Sequence, residues 1–233
     1  MSLRVLIVVE NLPVPLDRRV WLEATTLTKA GYQVSVICPM ARGWNAPFEV
    51  IDGVHIYRHP MPTEAHSGAV AYAREYGAAL WHWFRLSHRV RRERGFDVIQ
   101  GCNPPDLVFL LALWWRLRGV RYMFDHHDVC PELFEAKFGK RGLLWRLMMI
   151  WERLTFATAD VSIATNESFR AIALRRLVEE ARRSHAGRDG WRQAKERAYR
   201  FMSAIAGGFP GFEEASRALF AQDADAFARC IAG

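Results

Sequence analysis

The chain has 233 residues, with 32 Lys and Arg against 25 Asp and Glu, for a net charge of +7. It is 51% hydrophobic and 24% charged, which excludes a mainly disordered chain and leaves room for one large domain, or one domain with an appendage. The longest unbroken apolar run, Leu107 to Trp115, falls far short of the ~20 residues a membrane-crossing helix needs.

The opening residues MSLRVLIVVENLP place their apolar side chains where a first strand goes and carry no secretory-leader pattern. Cys38, Cys102, Cys130 and Cys230 are widely spread, with no CxxC pair. Neither a disulfide framework nor a zinc site is expected, and the thiols are read as reduced, in a cytoplasmic protein.

Residues 4–9 (RVLIVV) and 33–38 (QVSVIC) are near-continuous apolar, β-branched runs, as strands buried on both faces require. Residues 17–30 between them read as a helix closed by Gly31. Strand, helix, glycine and strand make a βαβ unit. Residues 48–59 read as two short strands around Asp52-Gly53, a hairpin signal.

A long helix is expected over 67–94, with Tyr72, Tyr76, Leu80 and Trp83 on one stripe. Its end, Arg85 to Arg94, holds five arginines and one glutamate. Strands are expected at 96–101, 120–124 and 161–164. Helices are expected from Pro104-Pro105 to Leu117 and over 143–157, and residues 165–168 cap a further helix. The fold class is therefore α/β, a doubly wound Rossmann-like parallel sheet. After residue 174 no stretch reads as a strand. Helices near 174–185, 188–206 and 211–231, broken near Gln222-Asp223, make a short all-helical segment. The domains are read as 1–173 and 174–233.

Ligands of such sheets bind beyond the carboxyl ends of the strands. The loop after the first strand holds Asn11, Asp17, Arg18 and Arg19. It has no GxGxxG, so a nicotinamide dehydrogenase is not expected. Cations at a helix start either face an anion or pair locally, here with Asp17 or Glu23. After the third long strand, Asn103 either bonds a sugar hydroxyl or caps the helix, with Asp106 close behind.

The densest polar cluster is Asp125-His126-His127-Asp128, with Pro131-Glu132 just beyond it. Adjacent side chains at a strand end point in opposite directions, so the two histidines do not act together. One of them serves as a general base or as a donor to a phosphate, with a carboxylate fixing its tautomer. The competing readings are a metal site and histidines that only satisfy loop hydrogen bonds. Asn166 either caps its helix or contacts ligand.

The Trp81–Arg94 segment suits contact with an anionic membrane surface or a lipid-linked phosphate. The plainer reading is a core-facing aromatic stripe ending in solvated arginines. Nucleic-acid binding is not expected, because no binding fold carries the basic residues.

The runs PVPLDRRVWLEATTLTKAGYQVSVICP, FDVIQGCNPPD, FDHHDVCPELFEAKFG and ATADVSIATNESFRAIA together resemble the N-terminal domain of a family-4 glycosyltransferase of GT-B architecture, over about residues 3–173. The resemblance implies retaining glycosyl transfer from a nucleotide-sugar donor, with no metal or other cofactor. It also implies that this half holds a sugar or lipid-linked sugar acceptor. It picks out His127 as the catalytic histidine near the reacting sugar, with Asp125 and Asp128 in the family's Asp-x-His-Asp pattern and His126 at the variable position.

Residues 174–233 resemble instead the C-terminal part of an uncharacterised bacterial family. No second Rossmann-like half comes after residue 174, so the chain is expected to bind acceptor without completing transfer alone. The other reading is a non-catalytic binding module whose helical tail covers the exposed cleft face. By either reading the chain is cytoplasmic, and a lipid-linked acceptor would make it peripheral at the inner face of the membrane.

Overall fold

The structure, a computed structural model, describes residues 2–60, 69–104, 106–139, 141–167, 212–221 and 223–232, with isolated positions between 170 and 199. The elements are β1 (Arg4–Val8), α1 (Arg18–Lys29), β2 (Gln33–Met40), β3 (Phe48–Ile51), β4 (Val54–Pro60), α2 (Ala69–Glu93), β5 (Val98–Cys102), α3 (Val108–Arg116), β6 (Arg121–His126), α4 (Cys130–Phe138), α5 (Leu143–Thr158) and β7 (Val161–Ala164). Near the C-terminus lie two more helices, α6 (Phe212–Ala221) and α7 (Ala224–Ala232).

One seven-stranded sheet runs β3-β4-β2-β1-β5-β6-β7. Every pairing is parallel except the β3–β4 hairpin. Asp52 and Gly53 turn that hairpin with φ of 50° and 80°, the left-handed pair that a tight two-residue turn demands. The parallel strands reverse their order between β1 and β5. This is the switch point at which a doubly wound sheet opens a crevice.

The alternation of the strand residues divides the core in two. Leu6 and Val8 of β1, with Ile99, Tyr122 and Phe124, pack against Trp83, Leu86 and Val90 of α2 and Leu111 and Trp115 of α3. Val5 and Ile7, with Val34, Val36 and Ile56, pack under Val20 and Ala24 of α1. Both faces of the central strands are covered, which is why residues 4–9 and 33–38 read as near-continuous apolar runs. On α2, Tyr76, Leu80 and Trp83 of the expected stripe face this core, while the side chain of Tyr72 lies outside the described residues.

The structure corrects the sequence reading in three places. β6 runs on through Asp125 and His126, so both are strand residues rather than loop. The loop expected to continue to Glu132 is cut short by α4, a helix absent from the sequence reading, which starts at Cys130. Its signals are Pro131 and Glu132 in the first turn and Gly139 closing it at φ 64°. The helix expected from Pro104 starts instead at Val108, because Asn103 and Asp106 bond each other and hold the intervening turn. Near the C-terminus, the break expected near Gln222-Asp223 falls between α6 and α7. The helices expected at 174–185 and 188–206 lie largely outside the described residues.

Gly101, inside β5, carries the close approach of α3 to the strand. A Cβ there would lie 2.5 Å from Val108 Cγ1 and 3.1 Å from Tyr122 Oη. Valine is stiff about χ1 and cannot yield cheaply. Gly101→Ala is expected to cost about 1–3 kcal/mol by overpacking, read as a lower urea midpoint with unchanged slope. An unchanged midpoint would mean that α3 has slack against the sheet.

Candidate functional site

The crevice at the switch point is lined by the residues just beyond β1, β5 and β6. On the β1 side, Asp17 caps α1, its Oδ1 accepting from Val20 N at 3.1 Å. The next two residues point apart. Arg18 is exposed, whereas Arg19 turns inward and ion-pairs with Asp125 at the end of β6. The local pairing of Arg19 with Asp17 or Glu23 is thus replaced by a bond across the crevice. Asp125 is 1% exposed, and a carboxylate so buried needs a cation. Its Oδ2 also takes a weak bond from Cys102 Sγ at 3.5 Å.

The second guanidinium nitrogen of Arg19, Nη2, lies 3.1 Å from His127 Nδ1. A guanidinium is only a donor, so Nδ1 accepts. The proton of the neutral ring therefore sits on Nε2. Burial, with Arg19 beside it, lowers the His127 pKa from its ordinary value. His127 is consequently a neutral Nε2–H donor at neutral pH. A cation fixes its tautomer, not the carboxylate expected from sequence. Asp128 Oδ2 is 4.0 Å from Nε2, too far for a hydrogen bond.

Asn103 sets the backbone on which His127 rides. Its Oδ1 accepts from His127 N at 2.9 Å and Asp128 N at 3.1 Å. Its Nδ2 donates to Asp106 Oδ1 at 3.1 Å and to the Asp128 carbonyl. Asn103 is 1% exposed, and its polar atoms are taken up inside the protein in shaping this turn. Asp106 supports it from below, its carbonyl accepting from Thr155 Oγ1 at 3.0 Å.

The structure thus gathers Asp17, Arg19, Asn103, Asp106, Asp125, His127 and Asp128. It separates His126, which is fully buried on the other face beside Phe124 and Phe156. The His126 Nε2 there lies 3.5 Å from Glu152 Oε1. The two histidines do point in opposite directions. Asn11 is exposed in the loop after β1, and Glu132 is exposed on the first turn of α4. Asn166 is exposed, and its carbonyl accepts from Arg170 N at 2.9 Å, as a cap does. Among the described residues, no group of three or more His, Cys, Asp or Glu is placed to hold a metal ion.

Sequence reasoning missed two polar networks. Gln100, fully buried in β5, donates to Glu23 Oε2 at 2.9 Å, and burial raises the Glu23 carboxyl above its ordinary range. On the other flank of β1, Glu10 Oε2 takes His59 Nε2 at 3.0 Å and Trp83 Nε1 at 2.8 Å. The available signal was polarity out of place, with Gln100 inside an apolar run and Glu10 closing one.

Comparison with known families decides the class. Residues 16–186 match the glycosyl transferase 4-like domain. The chain belongs to that family. Residues 163–233 of this glycosyl transferase 4-like chain also match a second family, described as an uncharacterised protein conserved in bacteria. A search of curated proteins finds no match. A glycosyl transferase 4-like domain binds the sugar acceptor or donor of glycosyl transfer. In this member, no helix among the described residues is long and apolar enough to cross a membrane.

The folded pKa of His127 is depressed below 6.5. As pH falls past 6.5 the unfolded chain takes up a proton that the folded chain refuses. The His127 contribution to stability is therefore present above this window and is lost as pH falls through the folded value. Nitrogen NMR should show His127 as the Nε2–H tautomer with a midpoint below 6.5. A midpoint at or above the ordinary histidine value, or the Nδ1–H tautomer, would contradict the Arg19 contact.

Proposed function

We propose that residues 1–173 form the acceptor-side half of a retaining glycosyltransferase that uses a nucleotide-sugar donor. The observation that carries the reading is the His127 ring at the switch point, its Nδ1 held 3.1 Å from Arg19 Nη2, which leaves the ring proton on Nε2. A neutral imidazole whose Nδ1 is occupied and whose Nε2 holds the proton is a donor, not a base. His127 would donate to a hydroxyl or phosphate oxygen at the reacting sugar. Arg19 and Asp125 orient it, while Asn103 and Asp106 shape its turn. Asp17, Arg18, Asn11, Asp128 and Glu132 form the rim toward acceptor and Asn166 stands at the exit of β7, whereas His126 supports the turn from the core side.

The described Rossmann-like sheet supplies one side of a cleft, and in this reading it is the acceptor side. A lipid-linked sugar acceptor would draw the protein to the inner face of a membrane. The four free cysteines suit the reducing cytoplasm.

Titration with a sugar 1-phosphate, and with a short-chain polyprenyl diphosphate-linked sugar, tests the reading. Binding should perturb His127, and His127→Ala should weaken it about tenfold, as loss of one hydrogen bond does. Tight binding of a nucleotide sugar by the same chain, or acceptor affinity indifferent to His127→Ala, would overturn it.

A second reading, in which the helical tail covers part of the α/β unit, is favoured by one observation. Leu174, Ala215, Ala218, Leu219 and Phe227 are buried in the same hydrophobic cluster as α2, α3 and the sheet. Deleting residues 175–233 should then lower the melting temperature. An unchanged melting temperature would mark the tail as an unattached appendage.

A further inference from the structure

The Arg85–Arg94 segment is divided by the fold. Arg89 lies over Tyr57 and pairs with Glu93 at 2.7 Å. Arg91 lies over Phe96 and donates to its carbonyl. Trp81, Arg85, His88 and Arg92 are turned outward on α2, all exposed, at spacings of four, three and four that make one helical ridge.

A second ridge lies alongside on α3. Leu110, Leu113, Trp114 and Leu117 are 37%, 48%, 39% and 79% exposed, at helical spacing that places them on one face. The ridges touch, since the His88 and Trp114 ring centroids are 6.0 Å apart and those of Phe84 and Trp114 are 6.2 Å apart. Arg118 sets its guanidinium 3.8 Å over the Trp114 ring, and Arg121 is exposed beyond it. The acids nearby are engaged, Glu93 with Arg89 and Tyr57 and Asp160 with Arg116. The result is an apolar ridge flanked by cations.

We infer that the paired outer faces of α2 and α3 are a docking surface for an anionic lipid bilayer. Leucines at this exposure gain by entering the acyl boundary, tryptophans settle at headgroup depth, and arginines meet anionic headgroups while their stems cover apolar surface. Charge complementarity selects the occupant: a purely apolar partner would have to desolvate Arg85, Arg92, Arg118 and Arg121 without return. The surface lies on helices outside the crevice, so the inference stands apart from the transfer reaction.

The test uses the full chain and vesicles, with no sugar acceptor, so its failure and that of the acceptor reading are separable. Vesicles of phosphatidylcholine alone are compared with vesicles also containing phosphatidylglycerol. The chain should cosediment with the second kind only, and high salt should release it. Leu113→Ser with Leu117→Ser, and separately Arg85→Ser with Arg92→Ser, should each reduce partitioning about tenfold or more. These side chains are exposed, so an unchanged melting temperature shows that the variants are folded. Equal binding to both vesicle kinds, no binding to either, or variants that bind like the parent would overturn the inference. So would a dimer in solution that the leucine variant converts to monomer, which would give the ridge to a second copy of the chain.

Discussion

Asp125 sits at the end of a central strand with its carboxylate out of water, and that fact organises the crevice. A buried carboxylate left alone costs several kcal/mol, and breaking a buried pair costs about 3–5 kcal/mol. Arg19, one residue inside α1, supplies the cation. The bond ties the first βα unit to the strand two places across the sheet. A lysine would satisfy the charge but not the geometry, because the guanidinium fork reaches two acceptors at once. Its second arm is what reaches His127. The protonation state of the histidine is therefore a consequence of the pair, not an independent choice.

The same constraint governs the backbone beside it. Strand ends leave amides and carbonyls without ladder partners, and buried ones must be satisfied. Asn103 answers for His127 N, Asp128 N and the Asp128 carbonyl with one side chain. Two residues earlier, Gly101 lets α3 close on β5. On the far flank, Arg58 does the equivalent for the loop after β1. It is 1% exposed, pairs with Glu49, and donates to the Val14 and Ala46 carbonyls. The loops on both sides are built the same way: a buried polar side chain holds each one.

Much of this was legible in the sequence. Near-continuous apolar runs marked β1 and β2, because a parallel sheet buried on both faces leaves no alternation to read. Asp52-Gly53 marked the hairpin, since few residues accept positive φ. The His126–His127 divergence came from the alternation of a strand. The partner of Arg19 was not legible. It lies 106 residues away, and local spacing cannot name a contact made by the sheet order. Helix α4 was missed although its Pro131 and Gly139 were in view, because the loop read from Asp125 to Glu132 takes in its first turn and only nine residues make the helix. The outward ridge of α3 was hidden for another reason. VFLLALWWR is apolar nearly all round, so its sequence does not tell the core face from the exposed one.

The net charge of +7 changes meaning once the exposed face of α3 is known. As a bulk figure it suggests a polyanion as partner. The fold uses its arginines differently, some as structural struts and some as surface. Arg19, Arg58, Arg89 and Arg91 are engaged with carboxylates, carbonyls or aromatic rings. Arg85 and Arg92 are turned outward on one ridge. A cationic ridge acting alone would be a diffuse electrostatic feature, screened over about 8–10 Å in physiological salt. Beside the exposed leucines and Trp114 of α3 it becomes directional, because only an interface that offers anionic charge and hydrocarbon side by side satisfies both ridges at once.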